Sequence, residues 1–435
     1  MAEQFFGIVF AENFIDLVFA TYLGLLGKKV AVVASKERLQ GSADSLLLDP
    51  FRSRIVCDAL GLAQKPEKDA FTPDFQILSP EFRVDFFWDR PRREFALARD
   101  LGKDWKKFSS LIDRLVELGN SYQEEIKKFK IIDFGFKAGF WPKIFSKARP
   151  NPRGETLGGL FREFDAGERE RQLVLSALRI VSPYFQESSP LFCAGLLWRF
   201  LFATGEGGSG RDESWESVFE MLAANGALIQ EPAVSVSARG KRLERLKVQP
   251  NREIEAECYF AEPNTLFYLL EEEKREARIG KGLVGKFPRA TFFSHIFRMN
   301  AEAWPEAMTD RCLWLSGEQK EPKELLLIAK KATPKTISLS ISYGLRKGEA
   351  KPLESFEIFQ ALQKLLPWLT EKKLEGQLEP FGFHQHLRFH PSQLSSPEIK
   401  TSFTNLYLPP SELVPFFGFT GMLRFAEALA EVKDD

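Results

Sequence analysis

The chain has 435 residues, no formal net charge, 44% hydrophobic and 13% aromatic residues. That length holds about two or three domains, or one large domain with a second inserted into it. The charge balance argues against a nucleic-acid partner, which leaves a basic footprint; no apolar run approaches the ~20 residues of a membrane span, and no signal-peptide pattern opens the chain.

The four cysteines, Cys57, Cys193, Cys258 and Cys312, are widely spaced. They fit reduced thiols of a cytoplasmic protein better than a disulfide framework or a zinc site. Phenylalanine is abundant, with 41 residues, which points to an aromatic core, with a large apolar pocket as the alternative.

In chain order, "FFGIVF" is an apolar run suited to a strand buried on both faces. "DLVFATYLGLLG" follows with Leu17, Ala20, Leu23 and either Leu26 or Gly24 at helical spacing, and Gly27 fits a left-handed helix end. "KKVAVVAS" is a second buried strand. The whole reads as a βαβ unit with a right-handed parallel crossover. In such a unit a G-x-G-x-x-G turn carries the dinucleotide. Here those three places fall on Ala11, Asn13 and Asp16, and the ribose acid at the end of the second strand falls on Ala34. Side chains at Ala11 and Asn13 crowd the backbone approach. Asp16 puts a carboxylate where a pyrophosphate sits and is expected to cap its own helix.

"PDFQILSPEFRVDFFWD" (73–89) alternates around Ser-Pro and reads as a hairpin. "DWKKFSSLIDRLVELGNSYQEEIKKF" (104–129) is an amphipathic helix whose apolar face, Phe108, Leu111, Ile112, Leu115 and Leu118, is a packing face. "ERERQLVLSALRIVSPYF" and "CAGLLWRF" are further helices, and Cys193 in the second is a core residue rather than a nucleophile. Residues 213–264 read as a helix, a strand from Ala227, a solvated hairpin around "ARGKRLERLK", and a strand ending in "YFAEPN". Then come "ATFFSHIFRMN", "RCLWLSG", "ELLLIAKKA" and "TISLSISYG", strands of an antiparallel sheet, and the helix "ESFEIFQALQKLLPWL". A final strand, "NLYLPP", precedes "GFTG" and a closing helix.

The four histidines are His295, His384, His386 and His390. "HQHLRFH" sets His384 and His386 on one strand face; a polar strand face is the reading preferred to a metal site. No G-x-S-x-G elbow, P-loop or H-E-x-x-H occurs, and no general acid or base is named.

Taken in order, the opening unit, the 205–264 segment and the 400–435 segment resemble the FAD-dependent phytoene desaturase and amine oxidase group of flavoproteins. The resemblance implies an α/β fold: an FAD/NAD(P)-binding Rossmann-like domain of the glutathione-reductase type, discontinuous over 1–65, 190–265 and 396–435. An inserted α+β substrate-type domain spans 66–189 and 266–395. It also implies an apolar, partly Phe-lined pocket between the dinucleotide domain and the 270–395 sheet. Arg38 and Gly41 retain part of the family's segment after the second strand, and "GFTG" retains the small turn before the closing helix. Pro409 and Pro410 stand where the family's C-terminal G-D pair contacts the flavin, and proline removes a backbone donor. The chain is in this respect similar to Rab GDP dissociation inhibitors and Rab escort proteins, which share the flavoprotein fold and bind no flavin. The expectation is a flavin-free relative with no cofactor that binds an apolar or isoprenoid-like small molecule or a protein partner. The alternative is an FAD-dependent oxidoreductase with divergent cofactor contacts, acting on an apolar or amine substrate.

Overall fold

A computed structural model describes residues 2–34, 39, 53–62, 73–87, 89–127, 155–180, 183, 185–202, 214–225, 227–261, 265–266, 269–270, 289–316, 323–345, 351–367, 378–389, 403–407 and 409–431. The opening apolar runs form the parallel unit their pattern dictates. Strand β1 (Glu3–Phe10) pairs with β2 (Val30–Val33) from Gly7↔Val30 to Phe10↔Val33, across helix α1 (Phe14–Leu25). Gly27 ends the connection at φ 83°, the left-handed region in which a side chain is strained.

Strand β5 (Leu228–Ile229) lies parallel outside β2, and β8 (Arg252–Phe260) lies parallel on the other side of β1. The outer edge of β8 is shared. Its first half pairs antiparallel with β7 (Arg242–Val248), and its last two residues, Tyr259 and Phe260, pair parallel with β14 (Leu406–Tyr407). β6 (Ala233–Arg239) completes the hairpin with β7, turning at Gly240. Arg245 of β7 pairs with Glu253 and Glu255, as a solvated hairpin should. Segments from both ends of the chain and its middle therefore build one sheet.

The second sheet runs β13 (Leu378–Phe389), β9 (Arg289–Asn300), β12 (Thr336–Gly344), β11 (Lys323–Thr333), β10 (Arg311–Ser316), β3 (Phe75–Leu78) and β4 (Arg83–Phe86). All pairings are antiparallel except β10 with β3. Two-residue alternation sorts its faces. Leu313, Leu315, Leu326 and Ile328 join the core shared with the first sheet, while Cys312, Trp314, Leu325 and Leu327 face a smaller core. Ile358 and Leu362 of a helix over Ser355–Leu365 fill that smaller core.

Helices α2 (Arg54–Ala59), α3 (Arg90–Leu101), α4 (Trp105–Lys127), α5 (Leu157–Glu163), α6 (Glu168–Arg179), α7 (Leu191–Phe202) and α8 (Ser214–Ala224) occupy the connections, followed by α9 (Ser355–Leu365) and α10 (Pro410–Glu431). The apolar face of α4 is buried as expected, at Phe108, Leu111, Ile112, Leu115 and Leu118. α7 packs along α4, and the two backbones meet at glycines. A Cβ built on Gly119 would lie 2.8 Å from Arg199 Cβ and nearer still to the Gly195 carbonyl. Gly119→Val is therefore expected to destabilise the protein by about 1–3 kcal/mol through forced separation of the helices. Urea unfolding checks this, and an unchanged midpoint would mean that the crossing is loose.

The closing helix keeps the turn its sequence implies and gains a segment before it. α10 is two helical segments joined at Gly418 (φ 69°, ψ 177°), so the glycine of "GFTG" does turn the chain before the last segment, and a further helical segment starting at Pro410 precedes it. Proline at a first helical position loses only a donor that has no intrahelical partner, and its fixed φ suits the helix. Among the described residues many of the phenylalanines serve packing. Phe19, Phe108, Phe161, Phe185, Phe260, Phe292, Phe297 and Phe425 are all fully buried. Cys57, Cys193, Cys258 and Cys312 form no disulfide. Among the described residues, no helix is long and apolar enough to cross a membrane.

Candidate functional site

In open α/β sheets ligands sit beyond the carboxyl ends of the parallel strands. Ala11, Ala34 and Pro409 follow β1, β2 and β14 at that edge. Ala11 and Ala34 are buried, and so is Pro409. The Ala11 N–H donates to Val33 O at 3.0 Å, and the Ala34 N–H to Ile229 O at 3.1 Å. Two positions expected to face a nucleotide thus have their backbone donors committed to the sheet. Arg38 and Gly41 lie outside the described residues.

Asn13, not Asp16, caps α1. With φ −153° it stands outside the helix, and its Oδ1 accepts from the N–H of Ile15 at 3.0 Å and of Asp16 at 3.3 Å. An asparagine is among the best N-caps because its short side chain reaches these donors. The expectation that Asp16 caps its own helix is corrected: it is the third residue of α1, in the first turn, and its side chain reaches back past the cap. Oδ2 accepts from the Glu12 N–H at 3.1 Å, and Oδ1 accepts from the Ser411 N–H at 3.1 Å. Ser411 is the second residue of α10. The donors at the starts of two helices, 395 positions apart in sequence, meet on one carboxyl group.

Asp16 is completely buried. Desolvation pushes its pKa up to about 7, against the lowering effect of the Ser411 and Glu12 hydrogen bonds. Glu12 in turn accepts from the Thr265 hydroxyl at 3.1 Å, which ties the turn to the segment after β8. Sequence reasoning found Asp16 from its place in the turn. It missed Ser411 and Thr265, for which no local signal exists.

The structure therefore brings Ala11, Asn13, Asp16, Ala34, Pro409 and Pro410 to one edge. Below them Phe19 of α1 meets Phe260 of β8 edge to face at 5.1 Å and stacks on Phe425 of α10 at 5.7 Å. Tyr407 of β14 closes the group against Phe260 at 5.3 Å. Farther along, the Tyr22 hydroxyl donates to Glu427 at 2.9 Å, a second tie between α1 and α10.

The expected junction with the 270–395 segment lies partly outside the described residues; among the described residues one small cleft is partly lined by Phe. It lies between the β3–β4 hairpin and helices α3, α4 and α7, and none of its lining residues comes from 270–395. His384 and His386 lie on β13, opposite Ser294 and Phe292 of β9; His390 lies outside the described residues. His295 is buried in β9 with its Nε2 3.3 Å from the Tyr343 hydroxyl. Among the described residues no group of three or more His, Cys, Asp or Glu is placed to hold a metal ion.

No protein-family description matches the sequence, and no curated protein does. Solved structures match over the whole length. Wild-type putrescine oxidase bound to putrescine superposes with a TM-score of 0.57 at 13% identity, covering 99% of each chain. Cyclohexylamine oxidase from Brevibacterium oxydans gives 0.53 at 14% identity, over 98% of this chain and 99% of that one. The PF1083 protein from Pyrococcus furiosus gives 0.57 at 11% identity, over 98% and 97%. The chain has the Rossmann-like fold of the FAD-binding amine oxidases.

Proposed function

We propose that this chain is a flavin-free member of that fold, and that it binds an apolar, isoprenoid-like small molecule rather than carrying out flavin redox chemistry; a protein partner is the other occupant the fold permits. The observation that carries the reading is the Asp16 carboxyl group joining the starts of α1 and α10. A dinucleotide pyrophosphate depends on free N–H groups at such a helix start. Here the Ile15 and Asp16 N–H groups go to Asn13, and the Glu12 and Ser411 N–H groups go to Asp16. Ala34 offers no carboxylate to a ribose, and Pro409 and Pro410 bring no N–H of their own. These residues do not fit a dinucleotide.

The donor count matters more than charge. With its pKa near 7, Asp16 is partly neutral around neutral pH, so phosphate repulsion varies with pH. Occupation of the donors does not. Each lost contact of about 1–2 kcal/mol multiplies with the others, so the expected loss of FAD affinity spans several orders of magnitude.

The test is a titration of the purified protein with FAD, read by flavin fluorescence and by thermal stability. The expected result is no saturable submicromolar binding and no rise in Tm, because a ligand that binds only the folded state stabilises it. Submicromolar binding would overturn the reading in favour of an FAD-dependent oxidoreductase with divergent contacts.

A further inference from the structure

The last helix is fastened on each side of a break. After Gly418, Phe425 packs on Phe19, Phe260 and Tyr407, and Glu427 accepts from the Tyr22 hydroxyl. Before it, residues 410–417 form a separate helical segment, since Gly418 at φ 69° and ψ 177° leaves the helical region. That conformation is open to glycine and strained for other residues, which makes Gly418 a point of rotation between two rigid pieces. At the other end of the segment, Pro409 and Pro410 supply no N–H. Its first donor, the Ser411 N–H, goes to Asp16 Oδ1 at 3.1 Å. Val414 is buried, so the seated position is the resting one.

The surroundings of Asp16 set the conditions under which this tie holds. Asp16 is completely buried and accepts from the Glu12 N–H as well as from Ser411. The charge acting on it is that of Glu12, of the same sign. α10 brings the Ser411 N–H and hydroxyl, and the segment after β8 brings the Thr265 hydroxyl, which is spent on Glu12. Glu412 follows Ser411 in the chain. None of these groups is a cation, so an ionised Asp16 is held by hydrogen bonds against burial and a neighbouring carboxylate. Lifting the segment lets water reach the carboxyl group, where ionisation is easy. Opening therefore releases a proton. Acid holds the segment down, and the hold weakens as pH rises toward about 7, the value to which burial pushes Asp16.

We propose that residues 410–417 are a hinged strap at the carboxyl edge of the parallel sheet: the buried Asp16 carboxyl group latches its start, Gly418 is its hinge, and its release bares the N–H groups of Glu12 and Ser411 while the rest of the fold stays in place. The strap stands or falls apart from the flavin-free reading, which the FAD titration tests.

Hydrogen–deuterium exchange of the full chain, read peptide by peptide by mass spectrometry, tests it, because local opening is seen there as a local loss of protection. In the wild type, protection of 410–417 is expected to fall tenfold or more from pH 5 to pH 8, after correction for the intrinsic rise of exchange with pH, while 419–431 keeps its protection. Asp16→Asn, which does not ionise, should show no such pH dependence, and Glu12→Gln should keep it. Asp16→Ala should exchange 410–417 at least tenfold faster than the wild type at pH 5. Should Asp16→Ala fail to fold, the wild-type and Asp16→Asn profiles decide alone. Equal loss of protection on both sides of Gly418 overturns the hinge. A pH dependence that survives in Asp16→Asn, or vanishes in Glu12→Gln, overturns Asp16 as the latch. A flat wild-type profile overturns the control by pH and, if Asp16→Ala also leaves exchange unchanged, the strap itself.

Discussion

Asp16→Ala is expected to lower the unfolding free energy by about 2–6 kcal/mol. The substitution leaves two inward-facing N–H groups, those of Glu12 and Ser411, without their acceptor, and each such group costs about 1–3 kcal/mol. The loss should depend on pH. The Asp16 pKa is raised by burial from 3.8 to about 7, so the folded state binds a proton more tightly than the unfolded one. The linked stabilisation is fully present below about pH 4 and is lost as pH rises through about 7. The penalty of Asp16→Ala is therefore largest near pH 4–5 and shrinks toward pH 8. Asp16→Asn keeps one acceptor and should lose less, while showing the same flattening of the pH profile. Urea unfolding at several pH values measures all three proteins. A variant whose stability parallels the wild type from pH 4 to 8 would show that Asp16 titrates alike in both states, and the clamp between α1 and α10 would then lose its electrostatic basis.

Phe425→Ala is expected to cost about 3–5 kcal/mol, the range for removing a large buried aromatic side chain. Phe425 is 1% exposed and touches rings from three other elements: Phe19 of α1, Phe260 of β8 and Tyr407 of β14. It fastens the helical segment after Gly418 to the parallel sheet and to α1. Phe425→Leu, which keeps much of the volume, should recover most of the loss. Thermal and urea unfolding measure both. A loss below about 1 kcal/mol for the alanine variant would mean that α10 relaxes into the space, since the cost of such a change depends on how well the site collapses.

Much of the fold was legible because its signals are local. A continuous apolar run, a helix-period stretch and a glycine at the helix end are enough to specify β1–α1–β2, since each residue's preference agrees with its neighbours'. The same holds for β6–β7, where alternation and Gly240 set the turn, and for α4, whose apolar stripe has only one face to bury. The loss of the dinucleotide signature was legible too, because a glycine's absence is visible at its own position.

What the sequence determined by itself, then, was the parallel unit, its alternating partner sheet and the departure of Ala11, Asn13, Asp16 and Ala34 from a nucleotide-binding turn. Tertiary structure alone decided what replaced the missing function of that turn. Asn13 rather than Asp16 took the cap, because it stands just outside the helix with the N–H groups of Ile15 and Asp16 within reach of its short side chain. Asp16 was thereby left to accept the N–H of Ser411, brought in from 395 positions away by the pairing of β14 with β8. The Phe-lined cleft likewise depends on β3 joining β10 in parallel and on α4 and α7 closing at Gly119 and Gly195. Periodicity reports which face of an element is apolar, but not which distant element covers it; that choice is made by the simultaneous burial of many such faces, in which each pairing constrains the rest.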